Sequence, residues 1–269
     1  MKVQGSWKVA RGGMMAIIFR KRALAWAFGL AIAGQLGFAQ SGLQAPQPGW
    51  MLDANGNLRS VYGVAGATTL SDPVLSGVLA FGCSGQFCLA KIDTSIVPLL
   101  NGVPGAPVDA PAGLALFSMT ERPALVYFAG SQQLMQWDQG ALASTSYIPD
   151  GEVLAVQALA TGAELAVRRN DRVWIEQVSF TDGSVSETAA LSDDVGAVLL
   201  LKSAMVYTTR RYVVLERSDG SDIRFDCPGV EAIYAMGTQY VQVRAKGAIW
   251  ALSLVPGKER LFLLPGVAP

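Results

Sequence analysis

Histidine is absent from the 269-residue chain, and cysteine occurs only three times. Most serine and cysteine hydrolases use histidine as their general base, so a Ser-His-Asp or Cys-His triad is excluded. Zinc sites are built from histidine and cysteine at short spacings, and Cys83, Cys88 and Cys227 supply only one close pair. The sequence therefore assigns no catalytic residue, no metal site and no cofactor.

Acidic residues are missing from the first 39 positions, although the whole chain balances 21 basic against 21 acidic residues. Six of the basic residues lie in that segment, so the rest of the chain carries 15 basic and 21 acidic residues, a net charge of about −6. Nucleic acids and anionic membranes both bind cationic surfaces. The excess of acid predicts that neither is a partner of the mature chain.

The early basic residues precede an apolar run. Arg20, Lys21 and Arg22 are followed by about 15 mostly apolar residues and then by Gly37-Phe38-Ala39, which is the order of regions in a secretory signal peptide. An uncleaved anchor is the alternative, but the run is shorter than the roughly 20 residues that span a bilayer. We predict a signal peptide over 1–39, a linker over 40–48 and a secreted or periplasmic folded part over 49–269, without stable membrane insertion.

Export permits disulfide bonds, and Cys83 and Cys88 flank a Ser-Gly turn in the sequence FGCSGQFC. A hairpin at this turn places the two cysteines opposite each other, which makes them a disulfide candidate. The alternative is that both are small buried apolar residues. Cys227 is unpaired in either case.

Sustained helical periodicity is also missing from Trp50 onward. Short apolar runs rich in Val, Leu, Tyr and Trp alternate with Asp-Gly, Asn-Gly and Pro-Gly turn signals. One hairpin pattern recurs, and its turns are marked by Ala54, Asp93, Gln139, Asp182, Asp219 and Gly257. Further strand pairs separate these hairpins, for example VLAVQAL with AELAVRR. The pattern predicts an all-β chain with about four short strands in each repeat of roughly 40 residues.

This period and strand count are typical of propeller blades. Over residues 49–269 the sequence resembles exported bacterial β-propeller repeat proteins, although no Gly-His and Trp-Asp pair of the WD-repeat kind recurs. The resemblance implies about five four-stranded blades plus an N-terminal hairpin at 50–62, or six blades with one incomplete, around a central channel. The N-terminal hairpin is expected beside the C-terminal strand ERLFLL. A β-sandwich is the structural alternative.

The apolar strand positions are expected to form the core. They include Val78, Leu79, Leu116, Val126, Val173, Ile175, Val213, Leu215, Ile233, Tyr240, Ile249 and Leu263. Tryptophans recur at similar hairpin positions, namely Trp50, Trp137, Trp174 and Trp250. Recurrence at one position of a repeat favours packing over the display of a sugar-binding platform.

Acidic residues accompany the predicted turns. Asp53–Asn57 begins with the spacing of a calcium loop, but Leu58 and Val64 stand where that loop needs glycine and glutamate. Asn55-Gly56 instead predicts a type I′ hairpin turn. Carboxylates recur at or near the turns at Asp53, Asp93, Asp138, Asp182 and Asp219. They form either a single rim that binds cations or, more simply, a set of turns that aspartate stabilises.

The basic residues of most interest lie in the sequence RRNDRVW. Arginine side chains that point the same way can bind carboxylate, sulfate or phosphate groups of a polymer. The candidate ligand-binding residues are Arg168, Arg169, Arg172 and Trp174, joined by Arg210 and Arg211 at the corresponding turn of the next repeat. Asp171 and Glu176 lie among them, so local ion pairing is the alternative.

Three classes of function are compatible with the sequence. The first is an exported, non-catalytic propeller that presents its loops to a protein or glycan partner. The second is a glycosidase or lyase of propeller fold that works with paired carboxylates. The third is a structural component of a cell-envelope assembly. The fold itself assigns none of these, because propellers host unrelated functions.

Overall fold

The computed structural model describes residues 46–64, 66–119, 123–191 and 194–265. In these residues the chain forms strands, turns and irregular connections, without a helix. The predicted signal peptide, residues 1–39, and most of the predicted linker lie outside the described residues. Within the described ranges there is accordingly no helix long and apolar enough to cross a membrane.

The strands form six antiparallel sheets that follow one another along the chain as blades. Blade 1 contains β1 Gly49–Leu52, β2 Leu58–Val64 and β3 Ala67–Leu70; blade 2 contains β4 Val78–Ser84, β5 Phe87–Ile92, β6 Ser95–Leu100, β7 Val103–Pro104 and β8 Val108–Asp109. Blade 3 contains β9 Ala115–Ser118, β10 Ala124–Phe128, β11 Gln133–Asp138 and β12 Ala141–Ser144; blade 4 contains β13 Glu152–Leu159, β14 Gly162–Arg169, β15 Arg172–Ser179 and β16 Val185–Ala190. Blade 5 contains β17 Val198–Leu201, β18 Ala204–Thr208, β19 Tyr212–Arg217 and β20 Asp222–Asp226; blade 6 contains β21 Val230–Ala235, β22 Tyr240–Ala245, β23 Ala248–Ser253 and β24 Leu261–Leu263.

Six apolar cores join the blades into a closed ring. Each core combines buried side chains from two neighbouring blades, as where Tyr127 of blade 3 meets Val167 of blade 4. Each of the other pairs of neighbouring blades also has its own core. The core between the first and last blades contains Met51 of blade 1 and Ile249 of blade 6. A short sheet buries its two faces only against neighbouring sheets, so the ring is what stabilises each blade. The prediction of a β-propeller is confirmed, and the β-sandwich alternative is wrong.

The turns of the blades alternate between two faces because neighbouring strands run in opposite directions. In blades 2–6, the turns between the first and second strands and between the third and fourth strands lie on one face. We name this the Ser203 face, after the turn between β17 and β18. The turns between the second and third strands and the connections to the next blade lie on the opposite face. We name that the Arg210 face, after the turn between β18 and β19.

Blade 1 lacks an innermost strand. Its first strand, β1, begins at the Ser203 face, where the Trp50 amide donates to the Met236 carbonyl at 2.9 Å. The second strand of every other blade also begins there, so β1 occupies the position of a second strand. The centre of the ring is therefore surrounded by five inner strands, β4, β9, β13, β17 and β21. Phe81 of blade 2 and Tyr234 of blade 6 stack directly across the gap, with ring centroids 5.5 Å apart.

The inner edge of β1 is completed by blade 6 rather than by another strand. The buried side chain of Gln242 accepts from the Leu52 amide at 2.9 Å and donates to the Leu52 carbonyl at 2.7 Å. Gly49 allows the close approach, since a Cβ at this position would lie 1.5 Å from the Met236 carbonyl oxygen. Six blades with one incomplete is thus the arrangement that the chain adopts.

The first and last blades meet by packing rather than by sharing a sheet. The C-terminal strand β24 pairs with β23, and the N-terminal hairpin pairs with β3. Phe262 and Leu264 pack against the core that contains Met51 and Val61. The expected neighbourhood of the two termini is correct, and no strand of the described residues is exchanged between the first and last blades.

Two predicted hairpins are not equivalent to the other four. Ala54 lies between β1 and β2, which occupy the positions of a second and a third strand, and Asp93 lies between the second and third strands of blade 2. The other four markers, Gln139, Asp182, Asp219 and Gly257, lie between the third and fourth strands of their blades. The acidic residues are therefore divided between the faces: Asp53 and Asp93 lie on the Arg210 face, and Asp138, Asp182 and Asp219 lie on the Ser203 face. The alternative of a single carboxylate rim is wrong, and the preferred interpretation, in which aspartate stabilises the turns, remains.

The turn at Asp53–Asn57 differs from the predicted type I′ turn. Its backbone closes through Asp53 and Asn57, and Gly56 has a positive φ of 73° while Asn55 does not. The Asp53 carboxylate accepts from the amides of Asn55 and Asn57 and from the Arg59 guanidinium. These bonds stabilise the wider loop and occupy the carboxylate, so the turn interpretation is preferred to a calcium loop.

Candidate functional site

A cavity of about 860 Å³ occupies the centre of the ring. Residues of all five inner strands line it, and on the Ser203 face it extends over turns of blades 5 and 6. We call the part between the inner strands the throat and the part at the Ser203 face the mouth. Binding sites are commonly concave and mostly apolar with a few polar groups. The cavity has this form and is the candidate site.

Leucine side chains line the throat towards the Arg210 face. Leu79 is 37% exposed and Leu114 is 58% exposed, and both line the cavity together with Leu154. The pairing register shifts at Leu79 and at Leu154, so each is the extra residue of a β-bulge that turns its strand. Leu79 was expected in the core, and this prediction is wrong because the bulge directs it into the channel. Leu263 was also expected in the core, and this prediction is wrong because Leu263 lies on the outermost strand of blade 6, where its side chain is exposed.

A recurring sequence pattern marks these channel residues, although their hydrophobicity alone suggests core positions. A Leu-Ala pair recurs at the start of three inner strands, as Leu79-Ala80, Leu114-Ala115 and Leu154-Ala155. The alanine is buried in each case, whereas the leucine is exposed or partly exposed. A leucine that recurs beside a buried alanine at the start of an inner strand distinguishes the channel wall from the core.

Backbone groups also face the throat. Each of the five inner strands lies at the edge of its own sheet, so alternate amides and carbonyls point towards the channel. At the start of β17 the Thr208 amide donates to the Ala197 carbonyl, so the backbone groups of Ala197 face β18. Because backbone groups alternate in direction along a strand, the amides and carbonyls of Val198 and Leu200 face the channel. One such group is bound locally, since the Ala158 amide donates to Ser118 Oγ at 2.7 Å.

The mouth is polar. Exposed hydroxyl and amide groups surround it, contributed by Ser84, Ser203, Ser218, Thr238 and Gln239. They come from blades 2, 5 and 6. Such groups can both donate and accept hydrogen bonds, and they carry no charge. Lys202 and Asp219 add one charge of each sign in the same turns of blade 5, so the mouth suits a polar part of a ligand.

An ion pair between two blades stabilises one side of the mouth. Arg217 ends β19 in blade 5, and its guanidinium pairs with Glu259 in the loop before β24 of blade 6. The Glu259 side chain is 8% exposed, so the pair is shielded from solvent on the acidic side. Shielded charge pairs respond less to salt than surface pairs. The contact fixes the loop of blade 6 against the neighbouring turn.

The described lining contains two carboxylates, and they lie at opposite ends of the cavity. Glu231 is at the start of β21 near the Arg210 face, and Asp219 is in a turn of the Ser203 face. One inner strand of about five residues separates such positions by roughly 15 Å. The carboxylates of a glycosidase lie within about 10 Å of each other across the sugar. The pair in the cavity lacks that geometry.

The turn aspartates on the Ser203 face are bound to their own turns. The Ser179 and Ser184 side chains and the Ser184 amide lower the pKa of Asp182 to about 2. Asp219 accepts from the Ser221 hydroxyl and amide, and these bonds lower its pKa in the same way. Within the described residues, no three Cys, Asp or Glu side chains are grouped as a metal site would require.

The predicted arginine site is on the Arg210 face, between blades 4 and 5. Arg168 pairs with Glu152 at 2.8 Å and donates to the Val195 carbonyl at 2.8 Å. Arg210 pairs with Asp194 at 2.9 Å, which lies in the same connection as Val195. Arg168 and Arg210 therefore contact adjacent residues of the connection between β16 and β17.

The other members of the predicted site also have local acidic or aromatic partners. Arg169 bridges Glu176 and Glu187, and Arg211 pairs with Asp226 at 3.2 Å. Arg169 and Arg172 each lie 5.9 Å from the centre of the half-buried Trp174 ring. The arrangement favours the ion-pairing interpretation, since an anionic ligand would compete with carboxylates already in place.

A buried network continues from Arg169. Glu176 is 4% exposed and accepts from the Tyr147 hydroxyl at 3.2 Å. Burial and the nearby Glu176 charge raise the pKa of Tyr147. Tyr147 comes from the connection between blades 3 and 4, so the network ties that connection to blade 4. It is a structural contact of the blade rather than an open binding surface.

Cys83 and Cys88 form a disulfide bond and pair directly across the β4 and β5 hairpin. Cys83 lines the cavity, and Ser84 beside it lies in the mouth. The bond therefore constrains one turn of the mouth. Cys227 is a buried thiol in the core between blades 5 and 6. Burial, and then the nearby Asp226 charge, raise the pKa of this thiol and keep it protonated.

Comparison with solved structures supports the fold. The chain is similar to a chain of the nidogen/laminin complex, with a TM-score of 0.58 and 10% identity over 80% of this chain and 92% of that one. It is also similar to PorZ, a bacterial surface component of the type-IX secretion system of Porphyromonas gingivalis, with a TM-score of 0.50 and 14% identity. That match covers 82% of this chain and 31% of PorZ, so the chain spans about a third of PorZ.

A weaker likeness is to apo AztD from Citrobacter koseri, with a TM-score of 0.46 and 11% identity over 81% of this chain and 71% of that one. No protein-family model matches the sequence, and no curated protein matches it significantly. At these identities the structural likeness concerns the propeller fold alone.

Proposed function

We propose that this chain is an exported, non-catalytic binding propeller that recognises a protein or glycan partner at the mouth of its central channel. The observation that carries the proposal is the cavity of about 860 Å³, in which a mostly apolar throat opens into a polar mouth. Apolar walls supply most of the binding free energy, and the few polar groups orient the ligand.

Rigidity is the mechanism that we propose for recognition. The six interblade cores hold the inner strands, and the Cys83–Cys88 bond and the Arg217–Glu259 pair hold two sides of the mouth. A binding surface that is already ordered loses less conformational entropy when a partner binds. The disulfide also supports export, because such bonds persist in oxidising compartments.

The geometry supports binding better than catalysis. A carboxylate enzyme needs two acids that converge on one bond, whereas Asp219 and Glu231 are at opposite ends of the described cavity lining. Glu231 is the one carboxylate of the described throat lining, and it pairs with Arg244 at 3.5 Å without a second acid of the lining beside it. A purely structural role in an envelope assembly would not require an open cavity of this size.

The proposal is tested with arrays of cell-envelope glycans and of extended peptides. We expect array binding by the folded chain to be lost in the Ser203→Trp variant, which obstructs the mouth, since Ser203 is exposed in a turn and its replacement leaves the cores intact. The matched control is Lys246→Trp, an exposed turn residue on the Arg210 face.

Three results of the array experiment would contradict the proposal. One is the absence of binding above that of the denatured chain. Another is equal loss of binding in the Ser203→Trp and Lys246→Trp variants. The third is loss only in an Arg210→Ala and Arg211→Ala double variant, which would assign recognition to the arginine residues predicted from the sequence.

A further inference from the structure

We infer that the throat binds an extended, uncharged segment of a polypeptide, which adds as a strand to one of the five inner strands. The inference rests on the proposed function, because it names the class of partner for the same cavity. It follows from three features of the throat: the edge strands that surround it, its apolar walls and its length.

The strand edges supply the hydrogen bonds. The inner strands β4, β9, β13, β17 and β21 are all edge strands of their sheets, and all five line the cavity. An edge strand presents alternate amides and carbonyls in the pattern that an added strand requires. In β17 these groups belong to Val198 and Leu200, which line the throat.

The walls supply apolar contacts for alternate side chains. Leu79, Leu114 and Leu154 line the end towards the Arg210 face, and Leu199 and Leu201 line the side formed by blade 5. In an extended peptide successive side chains point to opposite sides, so apolar side chains at alternate positions of the peptide contact these walls. The described throat between the strands has no basic side chain, which disfavours an acidic segment.

The length of the throat matches a short segment. The inner strand β4, Val78–Ser84, contributes six successive residues to the lining and spans about 20 Å. An extended peptide of about six residues covers the same distance. The volume of about 860 Å³ is within the usual range of ligand sites.

A hydrocarbon chain fits the same throat less well. It would remove water from the amides and carbonyls of the strand edges without replacing their hydrogen bonds. Each buried polar group left without a partner costs roughly 1–3 kcal/mol. A sugar polymer carries hydroxyl groups around each ring, which the leucine walls cannot satisfy. A peptide backbone is the ligand that matches both the edges and the walls.

The test uses a pool of N-acetylated, C-amidated hexapeptides in which Val, Leu or Phe alternates with Ser or Thr. Binding to the full folded chain is measured by native mass spectrometry and by fluorescence of a labelled pool. The matched ligand pool has N-methyl groups on alternate amides, which removes the donors for one strand edge. We expect N-methylation to weaken binding at least tenfold, since two lost hydrogen bonds of about 1 kcal/mol each exceed the 1.4 kcal/mol of a tenfold change.

Channel variants provide the second arm. Leu79→Glu and Leu114→Glu place a charge at exposed positions of the throat, so folding is expected to be kept while peptide binding falls at least tenfold. Ile148→Glu is the control, because Ile148 is 78% exposed and outside the cavity lining. The peptide inference is supported when the throat variants lose binding and the control does not.

Several outcomes overturn the inference. Equal binding of the methylated and unmethylated pools, displacement of the peptides by dodecanoate, or absence of peptide binding would each do so. If the array experiment at the same time shows glycan binding that Ser203→Trp abolishes, the peptide inference fails and the proposed function stands. If neither arrays nor peptides bind, both fail.

Discussion

At the scale of single residues, Gln242 has the clearest structural role. Its buried amide makes both hydrogen bonds that an innermost strand of blade 1 would otherwise make with Leu52. A long-range contact of this kind, between residues 190 positions apart, leaves no local pattern in the sequence. It could not be predicted without the ring, whereas the apolar alternation of its strand could be.

We expect Gln242→Leu to lower the free energy of unfolding by about 2–4 kcal/mol, since it leaves the amide and carbonyl of Leu52 buried without partners. Gln157→Leu is the control: Gln157 is also buried, on the innermost strand β13, but its Oε1 has no hydrogen-bond partner among the described residues. Urea unfolding of both variants measures the difference. A loss at Gln242 no larger than at Gln157 would contradict the assigned role in closing the ring.

Asp53 provides a prediction for pH. Burial alone would raise its pKa, but the bonds from Arg59, Asn57 and Asn55 outweigh burial, and the pKa is lowered from the usual 3.8. A carboxylate whose pKa is lowered on folding stabilises the protein above its unfolded pKa, and this contribution is lost as the pH falls through the folded pKa. The stabilising effect should therefore be complete near neutrality, begin to fall as the pH approaches 3.8 and be lost once the pH is below the lowered pKa of the folded state.

The variant Asp53→Asn tests this. We expect it to reduce the free energy of unfolding at pH 7 by about 1–2 kcal/mol, because a carboxylate that accepts several hydrogen bonds is lost. The difference from the wild type should shrink at pH 2.5. Asp72→Asn, at an exposed position, serves as control. A difference that is independent of pH would show that the charge of Asp53 is not what stabilises the turn.

At the scale of elements, the sequence predicted the repeat but assigned the first strands to the wrong places within it. The apolar runs and Gly-containing turns define strands reliably, because both follow from local backbone preference. The position of a strand within its blade depends on contacts with other blades. Blade 1 has no innermost strand, so its hairpin was aligned with hairpins of later blades that occupy the outer positions.

The β4 and β5 hairpin carries the disulfide that its turn sequence suggested. A bond that closes so short a loop is expected to contribute about 2 kcal/mol. Replacement of both Cys83 and Cys88 by alanine should lower the free energy of unfolding by that amount. Dithiothreitol should destabilise the wild type similarly and leave the double variant unchanged. An unchanged wild type in dithiothreitol would contradict a stabilising role for this bond.

Edge strands differ in how they are protected. The inner strands face the enclosed channel, whereas the outermost strand of blade 2 is interrupted between β7 and β8 by Gly105 and Pro107. Interruptions and prolines at exposed edges prevent unwanted pairing with other chains. Bulges at Leu79 and Leu154 interrupt two of the channel edges near the Arg210 face, and the rest of these edges faces the throat where we propose that a strand binds.

At the scale of the whole molecule, the repeat of about 40 residues with four strands predicts a ring of blades around a central opening. The repeat does not predict whether side chains fill that opening. Whether that opening is filled or open depends on bulges at Leu79 and Leu154 and on the missing strand of blade 1. The arginine residues stood out in the sequence through their charge, and their acidic partners became clear only when the turns were placed together.

Amide hydrogen exchange of the folded chain with and without the alternating hexapeptide pool is the most direct test of binding in the channel. We predict slower exchange at channel-side amides of the inner strands, such as those of Val198 and Leu200, because an added strand protects them. Exchange at the turns 168–172 and 210–211 should not change. Protection confined to those turns, or no protection in the inner strands, would contradict the account.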